Sequence, residues 1–328
     1  MATMHFFLPL LPDEHYYSRI ARMAVLTPTK SITDFYRAWL GVNRVLSPLK
    51  DYEAIRYDVA TTSHANAHAT TQTTAREDVL YRHTSAGFYR HFLNVEQQRA
   101  LLDVASKGKR KAFFIPWLTK VRHAHCWRSC PQCIEDDINT FGTSYWHVAH
   151  QLPTATTCHK HAPQTLMVGC SYCGWQQTDL RETPLPDTTC PECNLAMSEN
   201  LPVTNAANAA IQKIGLALHL DSGTHQRPSS KPQIHRLVEY AFGDTIRDRQ
   251  QAYWKTKGQV EYAFWDWVWE NRIDSYFVVN SDEELKTQLC LELIINTPSK
   301  VTPLAHIIWL AFFHHIGQFD HARLSSAS

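Results

Sequence analysis

The spacing of apolar residues near the start of the chain predicts an amphipathic helix. Intervals of three and four residues place side chains on one helix face, and the residues at these intervals are Tyr16, Tyr17, Ile20, Met23 and Ala24. Asp13, which follows Pro12, is of a residue type that often caps helix N-termini. The pattern therefore predicts a helix capped by Asp13 that buries one side.

A second helix is predicted over residues 31–40. Phe35, Trp39 and Leu40 fall on one side of it, and Gly41 marks its end. Two short helices joined by a tight turn are typical of a helix-turn-helix unit, and equally of a plain helical bundle.

The same periodicity predicts helices over 76–81, 95–105, 205–220, 234–242, 260–272, 283–295 and 303–316. Polar residues at 60–75 and 221–232 indicate a loop and a linker. Pro298 and Pro303 bracket a turn that is compatible with a second helix-turn-helix. Trp265, Trp267 and Trp269 would spread around a helix, which favours core positions, with a partner surface as the alternative.

Together these patterns predict a mainly α fold in three parts. Residues 1–125 form an N-terminal helical domain of helix-turn-helix type, residues 126–200 a central module with two zinc ions, and residues 201–328 a C-terminal helical domain that is compatible with a helix-turn-helix.

Composition excludes few functions. The formal net charge of the 328 residues is +1, so no global excess of charge indicates a nucleic-acid partner. No apolar run approaches the roughly 20 residues that cross a bilayer, and the N-terminus lacks the charged start of a secretory signal. We therefore expect no membrane partner and a reduced, cytoplasmic protein.

The most informative stretch holds four pairs of metal-binding residue types. Two residues separate the members of each pair, a spacing that lets one tight turn direct two side chains at a single ion. The pairs are Cys130 with Cys133, Cys158 with His161, Cys170 with Cys173, and Cys190 with Cys193. Eight ligands are what two tetrahedral Zn²⁺ ions require, so the sequence predicts two zinc ions per chain.

The pairs can be joined in two ways. Sequential pairing gives one site of three cysteines and His161 and one site of four cysteines, and it closes the shorter loops. A cross-braced arrangement, first pair with third and second with fourth, is the alternative. His159 is a candidate replacement for His161, although only His161 keeps the spacing of the other pairs.

Two other readings of the cysteines are weaker. A disulfide framework is typical of small secreted domains, which this chain does not resemble. A catalytic zinc keeps an open position beside three protein ligands, and the chain has neither His-Glu-x-x-His nor the His-x-Glu of zinc deaminases. Structural zinc and the absence of catalysis are therefore the prediction. Cys126 and Cys290 lie outside the pairs and are expected to be inert thiols.

A basic stretch precedes the first pair. Residues 104–134 contain no acidic side chain, and their cations are candidates for contact with a nucleic acid or a ribonucleoprotein: Lys107, Lys109, Arg110, Lys111, Lys120, Arg122 and Arg128. A solvated linker is the alternative. Glu135, Asp136 and Asp137, just after Cys133, are expected to form a solvated helix face rather than a catalytic cluster.

Several of these segments together resemble the TniQ/TnsD family of transposition target-selection proteins. The similarity is carried by Cys130-Pro-Gln-Cys133, by Asp136-Asp-Ile with Phe141-Gly and Tyr145-Trp146, by His150-Gln-Leu-Pro153, and by Cys158-His-Lys-His161 with Leu166. Upstream, Leu8-Pro9, residues 13–22, Arg82-His-Thr-Ser and Phe88-Tyr89 extend it, so that it covers about residues 8–195.

The resemblance implies a non-catalytic adaptor that couples a recognised DNA site to an AAA+ regulator, which recruits the transposase. Long TnsD-type members bind an attachment sequence through an extended C-terminal part. Shorter TniQ-type members dimerise and dock on a Cascade complex loaded with crRNA. The short C-terminal part of this chain favours the Cascade-associated role, in the cytoplasm at the nucleoid, with direct attachment-site binding as the alternative.

Overall fold

The computed structural model describes residues 8–28, 31, 33–35, 78–107, 120–122, 124–197, 199–200, 205–221, 250–296 and 301–315. For residues 102–107, 199–200, 250–257, 259 and 295–296 this description is limited to the backbone. The predictions for Trp39, Leu40, residues 234–242 and Pro298 lie outside these ranges, as does most of the predicted second helix.

The fold is mainly helical, which confirms the predicted class. The α-helices are α1 (Tyr16–Leu26), α2 (Ala86–Tyr89), α3 (Val95–Lys107), α4 (Pro131–Phe141), α5 (Val148–Gln151), α6 (Ala206–Leu220), α7 (Gln250–Glu270), α8 (Asp282–Gln288), α9 (Leu291–Asn296) and α10 (Pro303–His315). Within the described ranges they are accompanied by two 3₁₀ helices, Arg90–Phe92 and Ile273–Tyr276, and by two short strands, β1 (Met167–Gly169) and β2 (Glu199–Asn200).

Helix α1 buries the face that the sequence predicts. All five residues of that face, Tyr16, Tyr17, Ile20, Met23 and Ala24, are buried. The predicted cap is wrong, because the N-cap is His15, whose Nδ1 accepts a hydrogen bond from the Tyr17 N–H. Asp13 lies two residues earlier with a φ of 56° and serves a different helix, as described below.

Short stretches of extended backbone join distant parts of the chain. Strand β1 pairs with β2 in an antiparallel, irregular register. Glu14 bridges to His147, and Val121 bridges to Phe277. These bridges attach the segment between the first two cysteine pairs to the N-terminal end of the chain, and the segment before the first pair to the C-terminal helices.

The C-terminal helices pack around α10, whose residues from Pro303 to Phe313 are all buried. The Phe264 ring of α7 stacks on Trp309, with centroids 3.6 Å apart. Helix α6 packs against both α10 and α2. The predicted helix over 283–295 is two helices, α8 and α9, and the Leu289 carbonyl between them accepts a hydrogen bond from the Trp309 indole N–H.

One continuous apolar core contains side chains from all three predicted parts of the chain, for example Tyr17, Trp127, Cys158 and Trp309. A smaller cluster surrounds the last two cysteine pairs and includes Ile134, Met167 and Met197. The three stretches therefore share buried surface in this structure. No helix among the described residues is long and apolar enough to span a bilayer.

Candidate metal centres

The first cysteine pair lies at the start of α4. Cys130 is the N-cap and Pro131 occupies the first turn, where its missing N–H costs no helical hydrogen bond. The helix ends at Gly142, which has a φ of 74° and donates its N–H to the Ile138 carbonyl. The sequence therefore fixes a helix start that carries Cys130 and Cys133 on a single turn, with both side chains buried.

The structure brings the first two pairs into one cluster of three sulfurs and one imidazole, whose ligand atoms lie within 4.8 Å of one another. Nδ1 of His161 lies 3.3 Å from Sγ of Cys133, 3.6 Å from Sγ of Cys158 and 3.7 Å from Sγ of Cys130. Sγ of Cys133 lies 3.5 Å from Sγ of Cys158. His159 is exposed and sits in a separate group with His150 and Cys158.

These separations fit a tetrahedral metal ion. With bonds of about 2.3 Å to sulfur and about 2.0 Å to nitrogen, the edges of such a tetrahedron are about 3.5–3.8 Å long. The observed distances around His161 Nδ1 span 3.3–3.7 Å. The four residues can therefore hold a metal ion with little rearrangement.

The imidazole of His161 is oriented from its far side. Its Nε2 lies 2.9 Å from Oδ2 of Asp136, on the exposed side of α4. A carboxylate in this position keeps the proton on Nε2 and leaves Nδ1 free to bind a metal. The predicted solvated acidic face therefore includes a residue that positions a candidate ligand.

A second imidazole contacts the thiols from inside the protein. Nε2 of His150 lies 3.9 Å from Sγ of Cys133. Burial lowers the pKa of His150 to about 4, so its ring is neutral near pH 7. The neutral ring can donate an N–H to a thiolate without adding charge.

A buried chain of polar groups connects α4 to the start of the protein. Nε2 of His147 lies 2.8 Å from Oδ2 of Asp137, and Nδ1 lies 3.4 Å from Oδ2 of Asp13. Burial by itself would lower the pKa of His147. The hydrogen bonds to the two carboxylates together have the larger effect, so the pKa of His147 is raised above 6.5. Burial likewise opposes ionisation of Asp13, yet the hydrogen bond and charge of His147 leave its pKa below 3.8.

Asp13 also caps α5 from a distance. Its carbonyl accepts a hydrogen bond from the Val148 N–H, and its carboxylate accepts one from the Ala149 N–H at 3.3 Å. Asp137 is buried rather than solvated. Both roles depend on residues ten or more positions away, so no local pattern reveals them.

The third and fourth pairs form a second cluster of four cysteines, again within 4.8 Å. Sγ of Cys170 lies 3.6 Å from Sγ of Cys193, and Sγ of Cys173 lies 3.6 Å from Sγ of Cys190. The structure thus joins the pairs in sequence order, and each cluster has four candidate ligands.

The two turns of the second cluster share one backbone pattern. Gly174 donates its N–H to the Cys170 carbonyl, and Asn194 donates to the Cys190 carbonyl. Both residues have a positive φ, of 74° and 59°, a conformation that glycine and asparagine tolerate best. Burial by itself would raise the pKa of Cys170. Hydrogen bonds from the N–H groups of Cys173 and Tyr172 have the larger effect and lower this pKa to about 7. The lower pKa favours the thiolate, which is the form that binds metal.

The cations predicted for nucleic-acid contact have different surroundings. Lys120 forms an ion pair with Glu284, and Arg122 donates to the carbonyls of Ser275 and Phe277. Arg128 is buried and donates to the Ala155 carbonyl, and burial lowers its pKa to about 10. Its side chain cannot reach an external phosphate in this conformation, which departs from the predicted surface contact.

The side chains of the remaining cations of the basic stretch lie outside the part of the chain that the structure describes. Lys109, Arg110 and Lys111 lie outside the described residues, and Lys107 is described by its backbone alone.

Cys126 is buried beside Gln176, whose Oε1 lies 3.8 Å from the Cys126 sulfur.

Comparison with known proteins gives a family for the part of the chain that holds the first centre. The TniQ family model matches residues 5–164, which include α1, the Asp13–His147 network and all four residues of the first cluster. No curated protein matches the chain. TniQ proteins are non-catalytic adaptors of transposition, and the match confirms the resemblance seen in the sequence. Residues 5–164 therefore form a TniQ domain, the domain of a family of transposition-associated target-selection proteins.

Proposed function

We propose that this chain is a non-catalytic target-selection adaptor for DNA transposition that links a crRNA-loaded Cascade complex on target DNA to an AAA+ regulator and its transposase. The observation that carries the proposal is the TniQ match over residues 5–164. We further propose that the protein is a homodimer and that it acts in the cytoplasm, at the nucleoid.

Each metal centre holds one Zn²⁺ ion in this proposal, through Cys130, Cys133, Cys158 and His161 in the first and Cys170, Cys173, Cys190 and Cys193 in the second. Four protein donors in each cluster support closed structural sites, since a catalytic zinc keeps a position open for water. Zinc would supply folding free energy to this module rather than chemistry.

Contact with target nucleic acid is assigned to the basic stretch. Lys107, Lys109, Arg110 and Lys111 are the principal candidates. Lys120 and Arg122 already hold Glu284 and two backbone carbonyls, and Arg128 is buried, so these three have a smaller part or none. Phosphate contacts of this kind strengthen binding and make it sensitive to salt.

A capture experiment with purified, zinc-loaded protein tests the proposal. We expect tagged protein to retain a crRNA-loaded Cascade complex encoded beside it, and to retain the AAA+ regulator. The variant Lys109→Glu/Arg110→Glu/Lys111→Glu should lose target-dependent transposition. Its control is Lys160→Glu/Lys213→Glu/Lys286→Glu, which reverses three exposed lysines elsewhere and should leave transposition unchanged.

Direct binding to an attachment site is the second candidate function. A gel shift that prefers an attachment-site duplex over a scrambled one, without any Cascade, would favour it. Failure to associate with any neighbouring Cascade would remove the first role and leave the family assignment intact. Hydrolysis of nucleic acid that depends on the metal would contradict both roles.

A further inference from the structure

Helix α7 exposes three aromatic side chains on one face. The side chain of Tyr262 is 72 % exposed and that of Trp269 is 38 % exposed, while Trp265 is half-buried. The rings of Trp265 and Trp269 have centroids 6.1 Å apart. We call Tyr262, Trp265 and Trp269 the aromatic ridge.

The other face of α7 accounts for its packing. Phe264, Trp267 and Val268 are buried against the core. Trp265 is partly buried and packs against this core, whereas Tyr262 and Trp269 face solvent. Single exposed aromatics are common, but three on one helix face, two of them with neighbouring rings, form an apolar surface of the kind that marks an interaction site.

Two carboxylates lie in the same surface. Asp266 and Glu270 follow Tyr262 at intervals of four residues, so they form one row beside the row of Trp265 and Trp269. Both acids are exposed, and neither has an ionic or hydrogen-bonding partner in the described parts of the chain. Gly258, one turn before Tyr262, leaves open space at that end of the surface.

The chemistry of this surface selects a cation. Indole and phenol rings attract a guanidinium group placed over their faces, and carboxylates accept its N–H groups in a planar, paired geometry. Nucleic acid could stack on the same rings, but Asp266 and Glu270 would repel its phosphates. A purely apolar partner would leave both carboxylates desolvated and unpaired.

We propose that this face of α7 binds an arginine-rich segment of a protein partner. The guanidinium groups stack on Trp265, Trp269 and Tyr262, and Asp266 and Glu270 accept their hydrogen bonds. This surface belongs to the C-terminal part of the chain, outside the matched residues 5–164, and the proposal does not depend on the role of Cascade.

Calorimetric titration of the full-length, zinc-loaded protein with a capped hexa-arginine peptide tests the proposal. We expect Trp269→Ala/Asp266→Asn to weaken binding about tenfold, as the loss of one stacked and one charge-assisted contact requires. The matched control is Phe141→Ala/Glu182→Gln, which removes an exposed aromatic and an exposed acid elsewhere and should change affinity less than about twofold. Trp269→Tyr should retain most of the binding, which separates loss of stacking from misfolding.

Four results would overturn the proposal. Equal weakening by the ridge variant and the control would indicate unspecific attraction. Binding of hexa-lysine as tight as that of hexa-arginine would indicate charge without stacking. Binding of an oligothymidine that the ridge variant abolishes would assign the surface to nucleic acid. Self-association that the same variant abolishes would assign it to a second copy of this chain.

Discussion

Oδ2 of Asp136 lies 2.9 Å from Nε2 of His161, on the opposite edge of the imidazole from the three cysteine sulfurs. The carboxylate selects the tautomer whose Nδ1 is free for a metal. Asp136 occurs three residues after Cys133, so the helix that presents one candidate ligand also orients another.

The first prediction concerns this carboxylate. Asp136→Asn should lower the affinity of the first centre for Zn²⁺ by about 10- to 100-fold, measured by competition with a chromophoric chelator. Glu135→Gln, which changes the neighbouring exposed acid, is the control and should leave the affinity unchanged. Equal affinities of the two variants would show that Asp136 does not orient His161.

The second prediction concerns metal content. Elemental analysis should find about two zinc ions per chain in the wild type. It should find about one per chain in Cys130→Ser and about one in Cys173→Ser. His161→Ala should lose the first ion, whereas His159→Ala should keep both. If removal of zinc by a chelator leaves the urea unfolding curve unchanged, the metal does not support the fold. Loss of both ions from Cys173→Ser would argue against independent centres.

The third prediction concerns pH. The raised pKa of His147 means that the stabilisation from its carboxylate pair is full below pH 6.5 and declines as pH rises through that pKa. The lowered pKa of Asp13 means that the stabilisation is full above pH 3.8 and declines in stronger acid. The difference in free energy of unfolding between the wild type and His147→Gln should therefore shrink from pH 6 to pH 9.

Zinc-loaded protein unfolded in urea at several pH values provides this measurement. His125→Gln, at an exposed position, is the control and should show no such trend. A difference that stays constant over the same range would mean that His147 is neutral in the folded protein.

The fourth prediction concerns the ion pair under α1. The Arg22 guanidinium donates to both carboxylate oxygens of Glu14 at 2.7 Å, and Glu14 is fully buried. Arg22→Met should destabilise the protein by about 3–5 kcal/mol, because it leaves a buried charge without its partner. Glu14→Gln/Arg22→Met should recover part of this loss. Arg19→Met, on the half-buried side of the helix, should cost much less.

Local patterns predict several of the helices, and they select the eight residues that the structure brings together in two clusters. The apolar face of α1 and the bounds of α6 follow from periodicity, and Asn205 caps α6 by accepting the Asn208 N–H. The candidate ligands follow from spacing alone, because a turn with two residues between the candidate ligands is itself a local structure. The order in which the pairs meet was favoured by loop length, and the structure has that order.

Contacts between distant segments escaped prediction. The sequence pattern assigns Asp13 to the helix that follows it, whereas its carboxylate contacts His147 and Ala149 in a distant segment. Asp137 was expected in solvent, but His147 compensates its burial. Arg122 was considered for nucleic acid, yet two carbonyls of a distant segment accept its N–H groups. Sequence spacing carries no information on such partners.

The contacts of α1 with Trp146 also determine when this helix can pack during synthesis of the chain. The Trp146 N–H donates to Ser18 Oγ across 128 residues, and the His15 N–H donates to the Trp146 carbonyl. At about 5–20 residues per second during synthesis, α1 waits many seconds for this partner to appear. Cys133 precedes Trp146 and Cys158 follows it closely, so any uptake of metal by the first cluster would fall in the same brief interval of synthesis as the docking of α1.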